Sequence, residues 1–346
     1  MFTNLINWSK DNYINLPWRD ERSLYTTLVS EIMLQQTTVS TVRNHYNRFL
    51  ETYPTVEKLA QSTEDEVCMA WKGLGYYRRA RNLRKAAIDI KEKYEGIIPL
   101  DYDDLVSISG IGDYTANAIL SIGADQKALA IDANIERVVS RILGIKSKKG
   151  PKLHKILKQR FEDGDLNIKK TESYRDLNEA FMDLGRNFCQ ARKVTCELCP
   201  IRKSCEAFKS GEPLSYPESP TVKTAKYYDL KLLRVFIKNR KRIKGYSKSE
   251  KEWLAGQIEV PTFVINSEDE SLKQYPKLTK KIDLEKLPKF KTSITKYKIT
   301  NYIVTLTDKE FESFSKSKKY QFFTQDETKT NFATSATKVF KKLNEA

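Results

Sequence analysis

Four of the chain's five cysteines fall in one short stretch, FCQARKVTCELCPIRKSC, running from Phe188 to Cys205. Their spacing is C-x6-C-x2-C-x5-C, on Cys189, Cys196, Cys199 and Cys205. Thiolates are soft ligands, and four in one loop can hold iron or zinc. Paired disulfides suit small secreted domains; 346 residues can bury an ordinary core, and MFTNLINWSK shows no apolar signal segment. Structural zinc usually takes two CxxC-like pairs a dozen or more residues apart. Here the one CxxC is Cys196/Cys199, with the outer cysteines close on either side. That pattern suits a 4Fe–4S cluster better, with zinc as the alternative. Cys68 lies far away in a helical pattern and reads as a core thiol.

A second stretch, LVSISGIGDYTANAIL (Leu105–Leu120), has an apolar helix, a Gly110-Ile111-Gly112 turn, and a helix of small residues. Glycines let a backbone approach a phosphate closely, and a helix start offers free N–H donors. This is a helix–hairpin–helix pattern that grips DNA backbone without reading its sequence.

Charge agrees with a polyanionic partner. The chain has 61 Lys and Arg against 45 Asp and Glu, a net of +16. Residues 221–346 hold 28 of those basic residues against 15 acidic ones, so +13 of the charge lies there. No apolar run is long enough to span a membrane. Thiols kept as ligands imply a reducing compartment, so a cytoplasmic, bacterial-type protein is expected, associated with the nucleoid through DNA.

The elements that position these groups read as helical over residues 1–210. Leu24/Leu28/Ile32 and Val42/Tyr46/Phe49 recur at helical spacing, and Thr63 to Glu66 forms a capping-box pattern. GEPLSYPESPTVK (Gly211–Lys223) reads as a linker. Beyond it, YYDLKLLRVFIKNRKRIKGY carries a hairpin signal and TSITKYKITNYIVTL is strongly β. The tail from Phe322 to Leu343 ends in a short helical pattern.

The cysteine loop and the glycine hairpin together resemble the endonuclease III superfamily of DNA glycosylases. Such enzymes flip a nucleotide out of the duplex and cut its glycosidic bond. SEIMLQQT (Ser30–Thr37) closely resembles the adenine DNA glycosylase family of MutY type, which removes adenine mispaired with 8-oxoguanine. The resemblance is dense over residues 13–210. It makes Glu31 the general acid, and Asp132 in IDANIERVVSRILGI the group that stabilises the cationic sugar. Asn134 helps order Asp132. Tyr114 stands where endonuclease III has its Schiff-base lysine, so the chain is expected to lack strong AP-lyase activity. Trp18 and Arg19 in PWRD, with Glu179 in NEAFMDLG, match an adenine pocket. Gln36 matches a residue of the base stack, and GLGYYRRARNL a wedge loop. There Leu74 and Tyr76, flanking Gly75, would intercalate, while Arg78, Arg79 and Arg81 face phosphate. Arg192, Lys193, Arg202 and Lys203 of the cysteine loop would also meet phosphates.

The resemblance further implies a Nudix-like C-terminal domain that reads 8-oxoguanine. EWLAGQIEVPTF matches its framework through Trp253, Gly256, Glu259 and Pro261. No Nudix box is present, so no pyrophosphatase activity is expected. The family's aromatic–Ser/Thr–His sensor is here Ile294-Thr295-Lys296, without the His. Thr295 could still reach the lesion, and Lys296 could hold a phosphate.

The expected fold is a mostly α catalytic part with two helical subdomains, a cleft and an iron–sulfur loop, then an α+β Nudix-like domain. Residues 22–130 would form a six-helix helix–hairpin–helix barrel, and 1–21 with 131–210 the cluster subdomain. A linker at 211–224 and a lesion-recognition domain at 225–346 follow. The expected partner is double-stranded DNA carrying A:8-oxoguanine or A:G mispairs, bound by a monomer and away from membranes. The rival readings are a bifunctional, endonuclease III-like enzyme on oxidised pyrimidines and a non-catalytic DNA-binding iron–sulfur redox module.

Overall fold

The structure, a computed structural model, describes residues 2–13, 15–20, 22–218, 226–315, 317, 319–326 and 330–344. It divides into two compact units, Met1–Val222 and Lys223–Ala346. None of the helices among the described residues is long and apolar enough to cross a membrane.

Among the described residues two large apolar cores and a small cluster of Ala118, Ile122 and Ala130 build the N-terminal unit. The first spans Leu16 to Ala128 in sequence and is centred on fully buried Leu28, Trp71 and Leu83. The second joins Phe2, Leu5 and Ile6 to residues between Leu129 and Ile201. The chain therefore starts in the second core, runs through the first, and returns. The helix Tyr174–Asn187 shows why the second core closes: Leu177, Ala180, Phe181 and Leu184 repeat on one buried face, and Phe2 meets Phe181 edge to face at 5.2 Å. The helix Glu64–Ala70 opens with the expected capping box, Thr63 N–H donating to Glu66 Oε2 at 2.7 Å. Cys68 in that helix is 3% exposed.

Residues 211–218 differ from the linker expectation. A short 3-10 turn, Pro213–Ser215, packs on the N-terminal unit; Arg141 Nε donates to Tyr216 O at 2.8 Å and Glu218 N–H to Ser147 O at 2.9 Å. Prolines stop a helix but do not prevent docking. Residues 219–224 of the expected linker lie outside the described residues.

In the C-terminal unit β1 is Tyr228–Phe236, β2 Lys238–Asn239, β3 Arg242–Ser247, β4 Ile258–Glu259, β5 Thr262–Ser267, β6 Lys289–Ile294, β7 Tyr297–Thr305 and β8 Gln321–Thr324. One sheet has the order β5-β1-β7-β6; in the other β3 lies between β2 and β4 and also pairs with β8. The expected hairpin is present only as β2 against β3, through Lys238↔Ile243 and Asn239↔Arg242. β1 joins the other sheet, parallel to β7. Its apolar residues are buried on both faces, so alternation alone could not assign its neighbour. The helix Thr334–Asn344 packs Val339 and Phe340 into the core beside Phe236 and Phe332.

Candidate active site

A cavity of about 710 Å³ in the N-terminal unit is lined from both cores. The first supplies Trp18, Arg19, Glu31, Gln36 and Tyr114; the second supplies Asp132, Asn134, Glu179 and Asp183. Every residue expected from the sequence to touch adenine or the sugar therefore lines one space.

Glu31 sits in the helix Leu24–Leu34, whose start is capped by Ser23 and whose apolar residues bury it. Only 4% of it is exposed. Burial pushes its carboxyl up to about 7, and the nearby Asp132 and Glu179 charges add to that; the hydrogen bond from the Tyr114 hydroxyl to Oε2 opposes it. The Tyr114 hydroxyl is itself held far above its ordinary pKa, by burial and then by Glu31, so it stays a donor.

Asp132 is the N-cap of the helix Ala133–Ile142. Its Oδ1 accepts from Asn134 N–H at 2.8 Å and Ile135 N–H at 2.7 Å, and its Oδ2 from Asn134 Nδ2 at 2.7 Å. Burial raises its pKa, but those three donors and the helix N-terminus favour the anion. Of the two carboxyls, Asp132 has three donors that favour the anion and Glu31 only the Tyr114 hydroxyl. Arg137 ties this cap to the cysteine loop: Nη2 donates to Asn134 Oδ1 at 2.9 Å, and Nε to Cys189 O at 2.7 Å.

The far wall is a charge network. Arg19 Nη1 donates to Asp183 Oδ2 at 2.9 Å and Arg22 Nη2 to Glu179 Oε2 at 2.9 Å. Arg19 Nε is buried 3.4 Å from Glu179 Oε2 and makes no hydrogen bond, so it faces that carboxylate as a charge only. Trp18 packs edge to face on Tyr46 at 5.8 Å and closes the side. Asp183, Arg22, Arg137 and Met182 were not anticipated. Asp183 had a signal, standing one turn after Glu179 on the same helix face; Arg22 and Arg137 had none, because a surface arginine reads the same in sequence.

The loop Gly73–Tyr77 departs from expectation at one residue, and the helix that follows it at another. Tyr76 is 60% exposed with φ of 48°, a fit for a wedge. Leu74 is 5% exposed and packs in the first core, so of the two only Tyr76 stands out of the loop. Arg79 does not face phosphate. Its guanidinium caps the end of the Glu31 helix, donating to Ile32 O at 3.0 Å, Met33 O at 2.8 Å and Gln35 O, and to Gly75 O at 3.1 Å. It satisfies carbonyls that a helix end leaves open. Arg79→Ala should cost about 2–4 kcal/mol in denaturant unfolding, because several buried acceptors lose their donor. Arg81 pairs with Glu64.

In the glycine hairpin, Gly110 has φ of 84°, and a Cβ there would stand 2.8 Å from Asn82 Cβ. Gly112 caps the helix Asp113–Ala118 and has open space around it. Buried Ile111 anchors the turn, leaving both glycine backbones at the surface.

The four cysteines line one apolar cavity with Val138, Ile142, Leu184 and Phe188. Arg141 Nη1 donates to Cys189 Sγ at 3.1 Å. Burial pushes the Cys199 thiol up to about 12, so without metal it stays protonated. Four sulfurs around one apolar space are a donor set that soft metals accept. Arg192, Lys193, Arg202 and Lys203 are exposed.

In the C-terminal unit Thr295 and Lys296 form the exposed turn between β6 and β7, with Thr295 at φ of 47°. Lys296 Nζ is paired with Asp269 Oδ2 at 3.0 Å while its side chain stays half exposed.

With this geometry in hand, comparison with known proteins is specific. Residues 29–163 match the HhH-GPD superfamily of base excision DNA repair proteins. An adenine DNA glycosylase of Buchnera aphidicola is 36% identical over 227 residues, covering 65% of this chain and 64% of that protein. An adenine DNA glycosylase of Arabidopsis thaliana is 32% identical over 305 residues, covering 77% of this chain and 48% of that protein. Its match is longer than the N-terminal unit and so reaches into the second. Among solved structures, a thermostable thymine-DNA glycosylase aligns with a TM-score of 0.52 and 26% identity, covering 60% of this chain and 94% of that one. The chain spans about 60% of the length of the first curated relatives it matches. The helical glycosylase fold and the α+β second unit agree with the sequence reading.

Proposed function

We propose that this protein is a monofunctional adenine DNA glycosylase acting on adenine opposite 8-oxoguanine or guanine. One observation carries the reading: Glu31, with its carboxyl raised to about 7, and Asp132, held by three hydrogen-bond donors, face the same cavity, with the polar wall of Arg19 and Glu179 beside them. The relatives named adenine DNA glycosylase support the choice of base.

The chemistry follows from the groups present. A flipped adenine enters between Trp18 and the Arg19–Glu179 wall. Glu31 gives its proton to N7, so the base leaves neutral when the glycosidic electron pair moves onto it. The sugar is left as an oxocarbenium ion, stabilised by the Asp132 carboxylate as in two-carboxylate glycosidases. Water adds at the anomeric carbon, its lost proton restores Glu31, and an abasic site remains. No lysine is among the described residues lining the cavity, so no amine is in place for a Schiff base. Duplex with A opposite 8-oxoguanine should therefore show strand breaks only after hot alkali. Breaks of equal intensity without alkali would overturn the monofunctional reading.

Double-stranded DNA is the proposed partner, gripped at the Gly110–Gly112 turn, wedged by Tyr76, with Gln36 in the base stack and Thr295 toward the lesion. Residues 225–346 are assigned the lesion-reading role. Cys189, Cys196, Cys199 and Cys205 are assigned a 4Fe–4S cluster. Such a cluster supplies four covalent cross-links that order the basic loop. Cys199→Ser should lose iron and acid-labile sulfide together with the visible absorbance, and should unfold at a lower temperature. Full iron content in that variant, or one zinc per chain in the wild type, would contradict the assignment.

A further inference from the structure

Arg79 holds more than the end of the Glu31 helix. It sits in the helix Arg78–Lys93, directly after the wedge loop, and only 8% of it is exposed. One guanidinium nitrogen serves the segment that follows Glu31: Nη1 donates to Ile32 O at 3.0 Å, Met33 O at 2.8 Å and Gln35 O. The other bridges to the wedge loop: Nη2 donates to Leu74 O at 3.2 Å, Gly75 O at 3.1 Å and, back across the gap, Thr37 Oγ1 at 2.8 Å. One planar group thus spans two segments that lie far apart in the chain.

Those two segments carry the residues assigned to the base stack. Gln36 and Tyr76 are both exposed, and both stand in the left-handed region, at φ of 53° and 48°. Residues with side chains keep that conformation where their surroundings hold it. The value of φ follows the orientation of the peptide in front of the residue. The carbonyl of that peptide is Gln35 O for Gln36 and Gly75 O for Tyr76, and Arg79 donates to both. Trp71 Nε1 adds a second bond to Gly75 O at 3.1 Å. The guanidinium also lies 5.4 Å from the centre of the Tyr76 ring and 5.6 Å from that of Trp71, so it supports the ring as well as the backbone behind it. A rigid fork with donors on two edges can keep two sets of carbonyls at one separation; the point charge of a lysine on a flexible stem cannot.

Resting on the reading of Gln36 and Tyr76 as stack-entering residues, we propose that Arg79 is a positioning residue that joins their two loops into one unit. Both side chains then enter the duplex together, and neither opens the base stack alone.

The test uses the full chain and a duplex with a 2′-fluorinated 2-aminopurine nucleotide opposite 8-oxoguanine. The fluorescence of 2-aminopurine rises when it leaves the stack, and the fluorine disfavours the cationic sugar, so stopped flow reads flipping without excision. In the otherwise wild-type chain, Gln36→Ala and Tyr76→Ala should each slow flipping about tenfold. The double variant should stay near about tenfold, where independent residues would multiply to about a hundredfold. In an Arg79→Lys background the two effects should multiply. A role in stability alone would lower the melting temperature of Arg79→Lys and keep the wild-type pattern there, which would overturn the proposal. Multiplying effects in the otherwise wild-type chain would overturn it too, a result that needs no Arg79 variant to fold. If neither single substitution slows flipping, the base-stack reading itself falls and takes the proposal with it.

Discussion

Glu31→Gln should lower the single-turnover rate of adenine release by about 10²–10⁴-fold while leaving duplex binding intact. Gln has nearly the shape of Glu and can still accept from Tyr114, but it has no proton to give. Wild-type protein should also carry a pH signature. Glu31 acts when protonated, and its pKa stands at about 7. The rate should be level below that pH and fall tenfold for each pH unit above it. Stability should move the other way in the variant. A carboxyl whose folded pKa exceeds the unfolded value of 4.5 destabilises the fold as pH rises from 4.5 through 7. Removing that charge should make Glu31→Gln more stable than wild type at pH 8, by on the order of 2–3 kcal/mol, with the gain vanishing near pH 4. Equal rates in both proteins would remove Glu31 from the mechanism and favour a binding module.

Asp132→Asn should cost about 10²–10³-fold in the same rate, with little change in melting temperature. The two effects separate because Asn and Asp are comparable N-caps. The substituted amide would keep an oxygen for the Asn134 and Ile135 N–H groups, so the helix Ala133–Ile142 should still start in the same place, while its Nδ2 loses the one bond that Oδ2 accepted from Asn134 Nδ2. What disappears is the negative charge facing the cationic sugar. If stability fell by about 1 kcal/mol or more and the rate did not, Asp132 would be a cap and nothing else.

The residues of the cavity were legible because they sit in contiguous motifs. Ser30–Thr37, Ile131–Ile145 and Pro17–Asp20 each place a chemical group at a fixed point of a short helix, and local structure then aims it. Groups acting through distant partners were not legible. Arg79 and Arg81 are two residues apart in one basic run; one is buried beneath the Glu31 helix end and the other pairs with Glu64 on the surface. Leu74 and Tyr76 likewise share a loop, but only Tyr76 stands out of it. Asp269, the partner of Lys296, stands outside the motif that holds the lysine. The pairing of β1 with β7 joins segments far apart in the chain and is set by both buried faces, which an alternating pattern does not encode.

The most direct measurement is the identity of the base released from duplexes carrying A opposite 8-oxoguanine, A opposite G, A opposite T, or an oxidised pyrimidine. The account predicts free adenine from the first two, in amounts equal to the abasic sites formed, and nothing from the others. Release of the oxidised pyrimidine with adenine retained would contradict it.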